Sequence, residues 1–175
     1  NQYMMMGFTF APPVLEWGYR YEEYACVDLL FGEVCFEVFF ARIGYEFDGP
    51  HNEMEPQGYV KAYRRIVDLI RAQGADNVAF VWHSYAAPTY KNHPLGAWYP
   101  GDDYVDWVGI SLFGHMYADE LNAEGEAVFD FARQHKKPVM VAEASPIGGI
   151  DRDSLDAWNT WFVNFFSLTY SKNIK

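Results

Sequence analysis

Three observations predict an α/β chain built on parallel strands. From residue 36 onward, strand-like and helix-like segments alternate. Two of the strand-like segments end on a glutamate followed by turn chemistry. Between the second and third strands lies a proline-rich break too irregular for a helix. Strands that alternate with helices imply parallel pairing through crossover connections, so all strand ends of one kind lie on one rim.

The first of these strands is expected over about 36–46, rich in aromatic and β-branched residues and closed by Asp48-Gly49-Pro50. A helix follows at about 57–73, with Pro56 near its start, Gly74 after its end, and Val60, Tyr63, Ile66, Val67 and Ile70 as its apolar stripe. Asn77 opens a short buried strand, Val78 to Trp82. Residues 85–104 carry Pro88, Pro94 and Pro100 and read as a long loop, a length that usually serves function or mobility. A third strand is expected from Val105 to Phe113, then a helix at about 124–134 with Val128, Phe131 and Ala132 inward. A fourth strand runs from Pro138 to Glu143. The last helix is expected at about 153–170, capped by Asp151 or Asp153, with Leu155, Trp158, Phe162 and Phe165 as its stripe. Ahead of all this, Tyr3 to Phe10 reads as a strand. Residues 14–31 are ambiguous: Trp17, Tyr21, Tyr24 and Leu30 suit a helix that Gly18 weakens.

The chain of 175 residues, half of them apolar, suffices for one domain with a sizeable core. Its net charge of −11 argues against nucleic acid or an anionic membrane as partner and is compatible with a neutral substrate. No apolar run is long enough for a transmembrane helix. The first residues, Asn1-Gln2-Tyr3, show no basic leader and no initiator Met, which reads as a processed or excised chain. Cys26 and Cys35 can be a disulfide or two buried thiols. The 13 Tyr and 6 Trp offer flat apolar faces with a polar edge, which suit sugar rings as well as a core.

The chemistry-bearing residues are Glu46 and Glu143, each at the end of a strand and therefore on one rim. Glycosidic bond cleavage needs two carboxyl groups flanking the bond, one to donate a proton and one to attack or to activate water. Against that stands the plainer reading of each as a surface or ion-paired carboxylate. Strand alternation puts Arg42, Gly44 and Glu46 on one face. Arg42 would then need a carboxylate partner, either a site glutamate or a structural ion pair. Trp82, at the rim, is a candidate sugar platform or a barrel-plugging aromatic. His83 and Tyr85 follow it and could bond sugar hydroxyls. Trp98, with Tyr99, could wall a subsite, and His115 and Tyr117 follow the third strand on the same rim. The cluster Asp48, His51, Glu53 and Glu55 matches no established metal motif and reads as a solvated acidic loop. No phosphate loop, no cofactor motif and no Ser or Cys nucleophile motif stands out.

On these residues the sequence resembles the retaining clan A glycoside hydrolases. Arg42 to Gly49 is similar to their fourth-strand segment and Pro138 to Glu143 to their seventh. The stretch Tyr99 to Gly109 also resembles them, and the best likeness is to glycoside hydrolase family 26, whose members include β-mannanases. The resemblance covers about 36–175. It implies a (β/α)8 barrel, Glu46 as acid/base, Glu143 as nucleophile, a secreted protein, and a neutral β-linked polysaccharide of mannan, glucan or xylan type as substrate, with no cofactor and no metal. Two departures are Tyr45, where family 26 typically has His, and Phe113, where a Tyr often bonds the nucleophile. Length is a third. A full barrel needs roughly 200–250 residues, and only 35 residues would precede strand four here. The expectation is an incomplete barrel, with strands four to seven recognisable, a shortened N-terminal half, no eighth strand, and a second chain or copy to complete it. The alternative is a non-catalytic carbohydrate-binding or structural half-barrel.

Overall fold

The computed structural model describes residues 39–117, 121–147 and 155–174, together with the backbone of three strands within residues 6–36; the Tyr117 side chain and the side chains before residue 39 lie outside the described residues. Four parallel strands form the centre: β4 (Phe39–Ile43), β5 (Val78–Ser84), β6 (Trp107–Leu112) and β7 (Val139–Ala144). They curl into half a barrel, so the described elements make an incomplete (β/α)8 barrel. On the free side of β4 lies β1 (Met6–Phe10), antiparallel to it. A separate hairpin pairs β2 (Ala25–Leu29) with β3 (Gly32–Phe36), with Cys26 opposite Cys35 in register. The question of a disulfide there falls outside the described residues, as do the candidate caps Asp151 and Asp153.

Helix α1 (Pro56–Ala72) follows β4, and α2 (Ala123–Gln134) joins β6 to β7. Pro at the first position of α1 gives up an N–H that no helix could satisfy. Asn122 caps α2, accepting from the Gly125 N–H at 3.0 Å. Between β5 and β6 there is no helix. The connection carries two short 3₁₀ turns, Tyr90–Asn92 and Leu95–Trp98, and fully buried Trp98 fills the helix layer instead, against Tyr59 of α1 and Phe47.

The core lies between the sheet's outer face and the helices. Ala41, Ile43, Phe80, Trp82, Val108, Ile110 and Leu112 meet Tyr59, Tyr63 and Val67 of α1 and Val128 and Ala132 of α2. The other face, carrying Arg42, Val81, His83, Gly109 and Ser111, lines the inside of the half-barrel. A Cβ added at Gly109 would sit 3.0–3.2 Å from the side chains of Val81, His83 and Ala142, which marks these residues as one inward layer.

One ambiguity is resolved and two expectations are corrected. Within the ambiguous stretch 14–31, residues 25–29 are strand. β4 ends at Ile43, three residues before Glu46, because Gly44 turns the chain at φ +61. The last helix, α3 (Val163–Ser171) with the π-helical turn Trp158–Phe162 before it, packs only Phe162 and Phe165 of the expected stripe against the core. Leu155 and Trp158 are exposed, and Trp161 is the buried anchor, its Nε1 donating to Phe113 O at 2.7 Å and its ring stacked on Phe165. A π turn spends more residues per revolution than an α turn, so it rotates the apolar stripe away from regular spacing.

Trp82 stacks on Phe47 at 4.5 Å, packs on Phe131 of α2 at 5.0 Å, and donates its indole N–H to Trp98 O. Trp82→Ala is expected to cost about 3–5 kcal/mol of stability, read as a lowered denaturation midpoint. A midpoint within experimental error of the parent's would contradict this packing role.

Candidate active site

Glu46 sits on the turn after β4, and its own φ of +49 is an unusual backbone for a non-glycine residue. Asn52 pins this turn, its Nδ2 donating to the carbonyls of Tyr45 and Glu46 at 3.0 and 2.9 Å. The Glu46 side chain is nearly buried. Its Oε1 accepts from Ser111 Oγ on β6 at 2.6 Å, and its Oε2 lies 2.9 Å from Nε2 of His51, whose side chain is 44% exposed.

Glu143 lies at the C-terminal end of β7 and is 37% exposed. It is the register partner of Ser111, the residue that holds Glu46. A bulge brings it there: Ile110 pairs with Val141 and Ser111 with Glu143, so Ala142 is the extra residue. Ala142 already faces inward, and regular alternation would turn Glu143 outward. The bulge puts both on the inner face, as bulges beside sites commonly do. From β4, Arg42 reaches across the half-barrel. Its Nη1 donates to Glu143 Oε1 at 2.6 Å and to Ala142 O at 3.2 Å. The guanidinium is 17% exposed, and this pairing gives the inward Arg a carboxylate partner.

The remaining sequence candidates separate into two groups. Tyr85, half-buried, stands at the rim with its ring edge-on to His51 at 5.1 Å. His83, Trp82 and Trp98 are fully buried and cannot touch a ligand. For the two tryptophans the reason is parity: Arg42 and its register partner Val81 face inward, so Trp82 faces the helices, and Trp98 packs in the same layer. His83 does face inward, but its Nε2 is spent on Ser111 Oγ at 2.8 Å. His115 has both ring nitrogens engaged by backbone. Nδ1 accepts from the Phe113 N–H at 3.1 Å, which leaves Nε2 to donate to Ala86 O at 2.8 Å. It clasps the β5 and β6 loops together and offers no group to a sugar. The Tyr117 side chain lies outside the described residues.

The acidic loop is only partly solvated. Glu55 is exposed and paired with Lys91 and His93. Asp48, by contrast, is 1% exposed, accepting from Ser84 Oγ at 2.6 Å and from the Tyr85 N–H at 2.7 Å. Its carbonyl takes the Tyr90 N–H at 2.8 Å. Asp48 therefore ties the Glu46 turn to the loop after β5. Burial pushes its carboxyl up to about 6, against the opposing hydrogen bonds of Ser84 and Tyr85 and with Glu46 adding to the rise.

A carboxyl pushed up stabilises the fold while protonated. That contribution is whole below about pH 3.8 and is lost as pH rises through about 6. At about 1.4 kcal/mol per tenfold the swing is roughly 3 kcal/mol at most. Asp48→Asn cannot ionise, so its stability relative to the parent should improve by that order between pH 4 and pH 7.5. Chemical denaturation at both pH values checks this, and an offset independent of pH would contradict it.

Ser111, His51 and Asp48 are the residues that sequence reasoning did not assign to the site. For Ser111 a signal existed: it is the one hydroxyl in the otherwise apolar strand Trp107–Leu112. His51 and Asp48 had no such signal, since a turn-rich acidic stretch reads as solvated until its packing is known. Among the described residues, no group of three or more His, Cys, Asp or Glu side chains is placed to hold a metal ion.

Comparison with known proteins places residues 41–169 within the model of glycosyl hydrolase family 26. A β-1,3-xylanase of a Vibrio species is 34% identical over 151 residues, covering 74% of this chain and 32% of that protein. Endoglucanase H of Acetivibrio thermocellus is 30% identical over 142 residues, covering 75% of this chain and 15% of that protein. Among solved structures, the β-mannanase BoMan26A of Bacteroides ovatus aligns with 20% identity and a TM-score of 0.49, over 69% of this chain and 37% of that one. The chain thus spans about a third or less of the length of these curated relatives.

Proposed function

Because this chain belongs to glycosyl hydrolase family 26, we propose that it carries the catalytic rim of a retaining β-glycan hydrolase, with Glu143 as nucleophile and Glu46 as acid/base. One observation carries the reading: the Ser111 side chain hydrogen-bonds Glu46, and the backbone register partner of Ser111 on β7 is Glu143, so the turn after β4 and the end of β7 bring two glutamates far apart in sequence to neighbouring places on the inner face.

The chemistry follows from this arrangement. With Arg42 holding Glu143 Oε1, Glu143 Oε2 attacks the anomeric carbon as the glycosidic C–O bond breaks. Glu46 gives its proton to the leaving oxygen, and a glycosyl ester on Glu143 results. Water then attacks the same carbon, Glu46 takes its proton, and the ester bond breaks to restore Glu143. Glu46 Oε2 faces half-exposed His51. His51 must yield that oxygen to the glycosidic oxygen when a glycan binds, as hydrogen bonds in unliganded sites commonly rearrange.

The substrate is a neutral β-linked glycan of xylan, glucan or mannan type. The named activities of the relatives support this class, and the net charge of −11 favours an uncharged polymer over an acidic one. Action on such polymers implies an extracellular setting. Release of reducing ends from β-1,3-xylan, β-glucan and β-mannan tests the function, with proton NMR of the first-formed anomer testing retention. Loss of the β-anomer at first turnover would contradict the retaining mechanism.

A second reading rests on the open edge of the described sheet. With four parallel strands described and β7 at the end of the sheet, the half-barrel binds glycan without cleaving it, or cleaves only when a second chain or copy covers the open side. Glycan binding that is unaffected by Glu143→Gln and unaccompanied by turnover supports the first form. Activity rising more steeply than protein concentration supports the second.

A further inference from the structure

We propose that Ser111, itself oriented by His83, is a positioning residue for Glu46: it fixes Oε1 and thereby leaves Oε2 as the oxygen that exchanges the catalytic proton. The proposal rests on the reading of Glu46 as acid/base.

Three inward side chains from three neighbouring segments form one line: His83 on β5, Ser111 on β6, and Glu46 after β4. The steps are 2.8 Å from His83 Nε2 to Ser111 Oγ and 2.6 Å from Ser111 Oγ to Glu46 Oε1. His83 and Ser111 are fully buried and Glu46 is nearly so. Water therefore does not compete for these groups, and the direction of each bond follows from donor counting. A carboxylate only accepts, so the single hydroxyl proton of Ser111 goes to Oε1. Oγ must then receive its other bond from His83, which places the imidazole proton on Nε2. Nδ1 is left bare, and it is a buried nitrogen with no hydrogen-bond partner among the described residues. Burial, with the Arg42 charge adding to it, pushes His83 down to about 3, so the ring has one proton and not two.

A one-way chain of this kind has a consequence for Glu46. Its Oε1 always faces a donor. A proton placed on Oε1 would strand the buried Ser111 hydroxyl proton without its acceptor unless the whole chain reversed, and reversal would put a proton on His83 Nδ1, where nothing accepts it. The proton of the acid form accordingly resides on Oε2, the oxygen that faces half-exposed His51. The buried, unpartnered Nδ1 thus acts as a stop that prevents reversal.

The test uses two substrates that differ only in leaving group. A natural glycan needs a proton on its leaving oxygen, whereas a 2,4-dinitrophenyl β-glycoside of the same sugar does not. Ser111→Ala is expected to lower kcat/KM on the glycan by roughly 10- to 100-fold, a part of the roughly 10²- to 10⁴-fold that general acid assistance supplies. The rate of dinitrophenolate release in the first turnover should stay within about threefold, and Ser111→Thr, which keeps the hydroxyl, should recover most of the loss. Equal losses on both substrates would mean a merely structural role, and no loss on either would mean no role; both overturn the proposal. Where Ser111→Ala does not fold, Ser111→Cys keeps the size with a poorer donor and is read in the same way. Glu46→Ala is run alongside. If it shows the leaving-group split and Ser111→Ala does not, this inference alone fails. If Glu46→Ala shows no split, the acid/base reading fails with it.

Discussion

Glu143→Ala is expected to lower kcat/KM on β-glycan on the order of 10⁴-fold or more, about 5.5 kcal/mol of transition-state stabilisation. Loss of the nucleophile removes the covalent step, so what remains is binding and the acid assistance of Glu46. The fold should survive. Arg42 loses its carboxylate but keeps Ala142 O, and Glu143 itself is 37% exposed. A fall in melting temperature is therefore expected, larger than for an exposed pair because the Arg42 side chain is only 17% exposed, and smaller than for a fully buried one. Azide sharpens the test. In the space left by the carboxylate it attacks the anomeric carbon in one displacement, and the product is a glycosyl azide of inverted configuration. A variant that keeps the parent rate, or an azide product of retained configuration, would remove Glu143 from the nucleophile role.

Glu46→Ala is expected to behave differently in kind. On glycan, kcat/KM should fall by about 10²- to 10⁴-fold, the usual worth of positioned proton transfer. On a dinitrophenyl glycoside the first step should persist, because that leaving group departs as an anion. The glycosyl ester on Glu143 then accumulates, since no base activates water. Azide needs no base, attacks the ester, and gives a product of net retained configuration after two inversions. Opposite azide stereochemistry in the two variants is the strongest single discriminator between the roles of the two glutamates. If the product configuration is the same in both, the roles assigned to them are wrong.

The parallel framework was legible because its signals are local and repeated. The helices expected at about 57–73, bounded by Pro56 and Gly74, and at about 124–134 are found at 56–72 and 123–134, where periodicity puts them. The proline-rich break after β5 did remain without a helix. Parallel topology alone then brought the ends of β4 and β7 to one rim. The failures share a cause too. Inward or outward facing depends on parity, and parity needs a register that one strand does not reveal. Trp82 looked like a rim aromatic until the register partners Arg42 and Val81 turned it toward the helices. The π turn at 158–162 rotated the final helix by a backbone irregularity that composition does not announce. His115 was found in the expected place, yet its ring nitrogens were already committed to Phe113 and Ala86. Proximity to a rim says nothing about whether a donor is free. Ser111 was overlooked because a serine in a strand is unremarkable until a carboxylate arrives from 65 residues away.

The extra residue in β7 has a consequence for how this chain tolerates change. Ala142 adds length, not chemistry, since only its carbonyl and its small inward Cβ are used. Exchanging its side chain for another small one should therefore be nearly silent, whereas altering the count of residues between Val141 and the carboxylate should not. A one-residue insertion there reverses the parity of everything downstream and turns the glutamate toward the helices. A one-residue deletion restores regular pairing and keeps the glutamate inward, but takes away one of the two acceptors that fix Arg42. At this position sequence length is the constrained quantity, so gaps and not substitutions are what a comparison of variants should be scanned for.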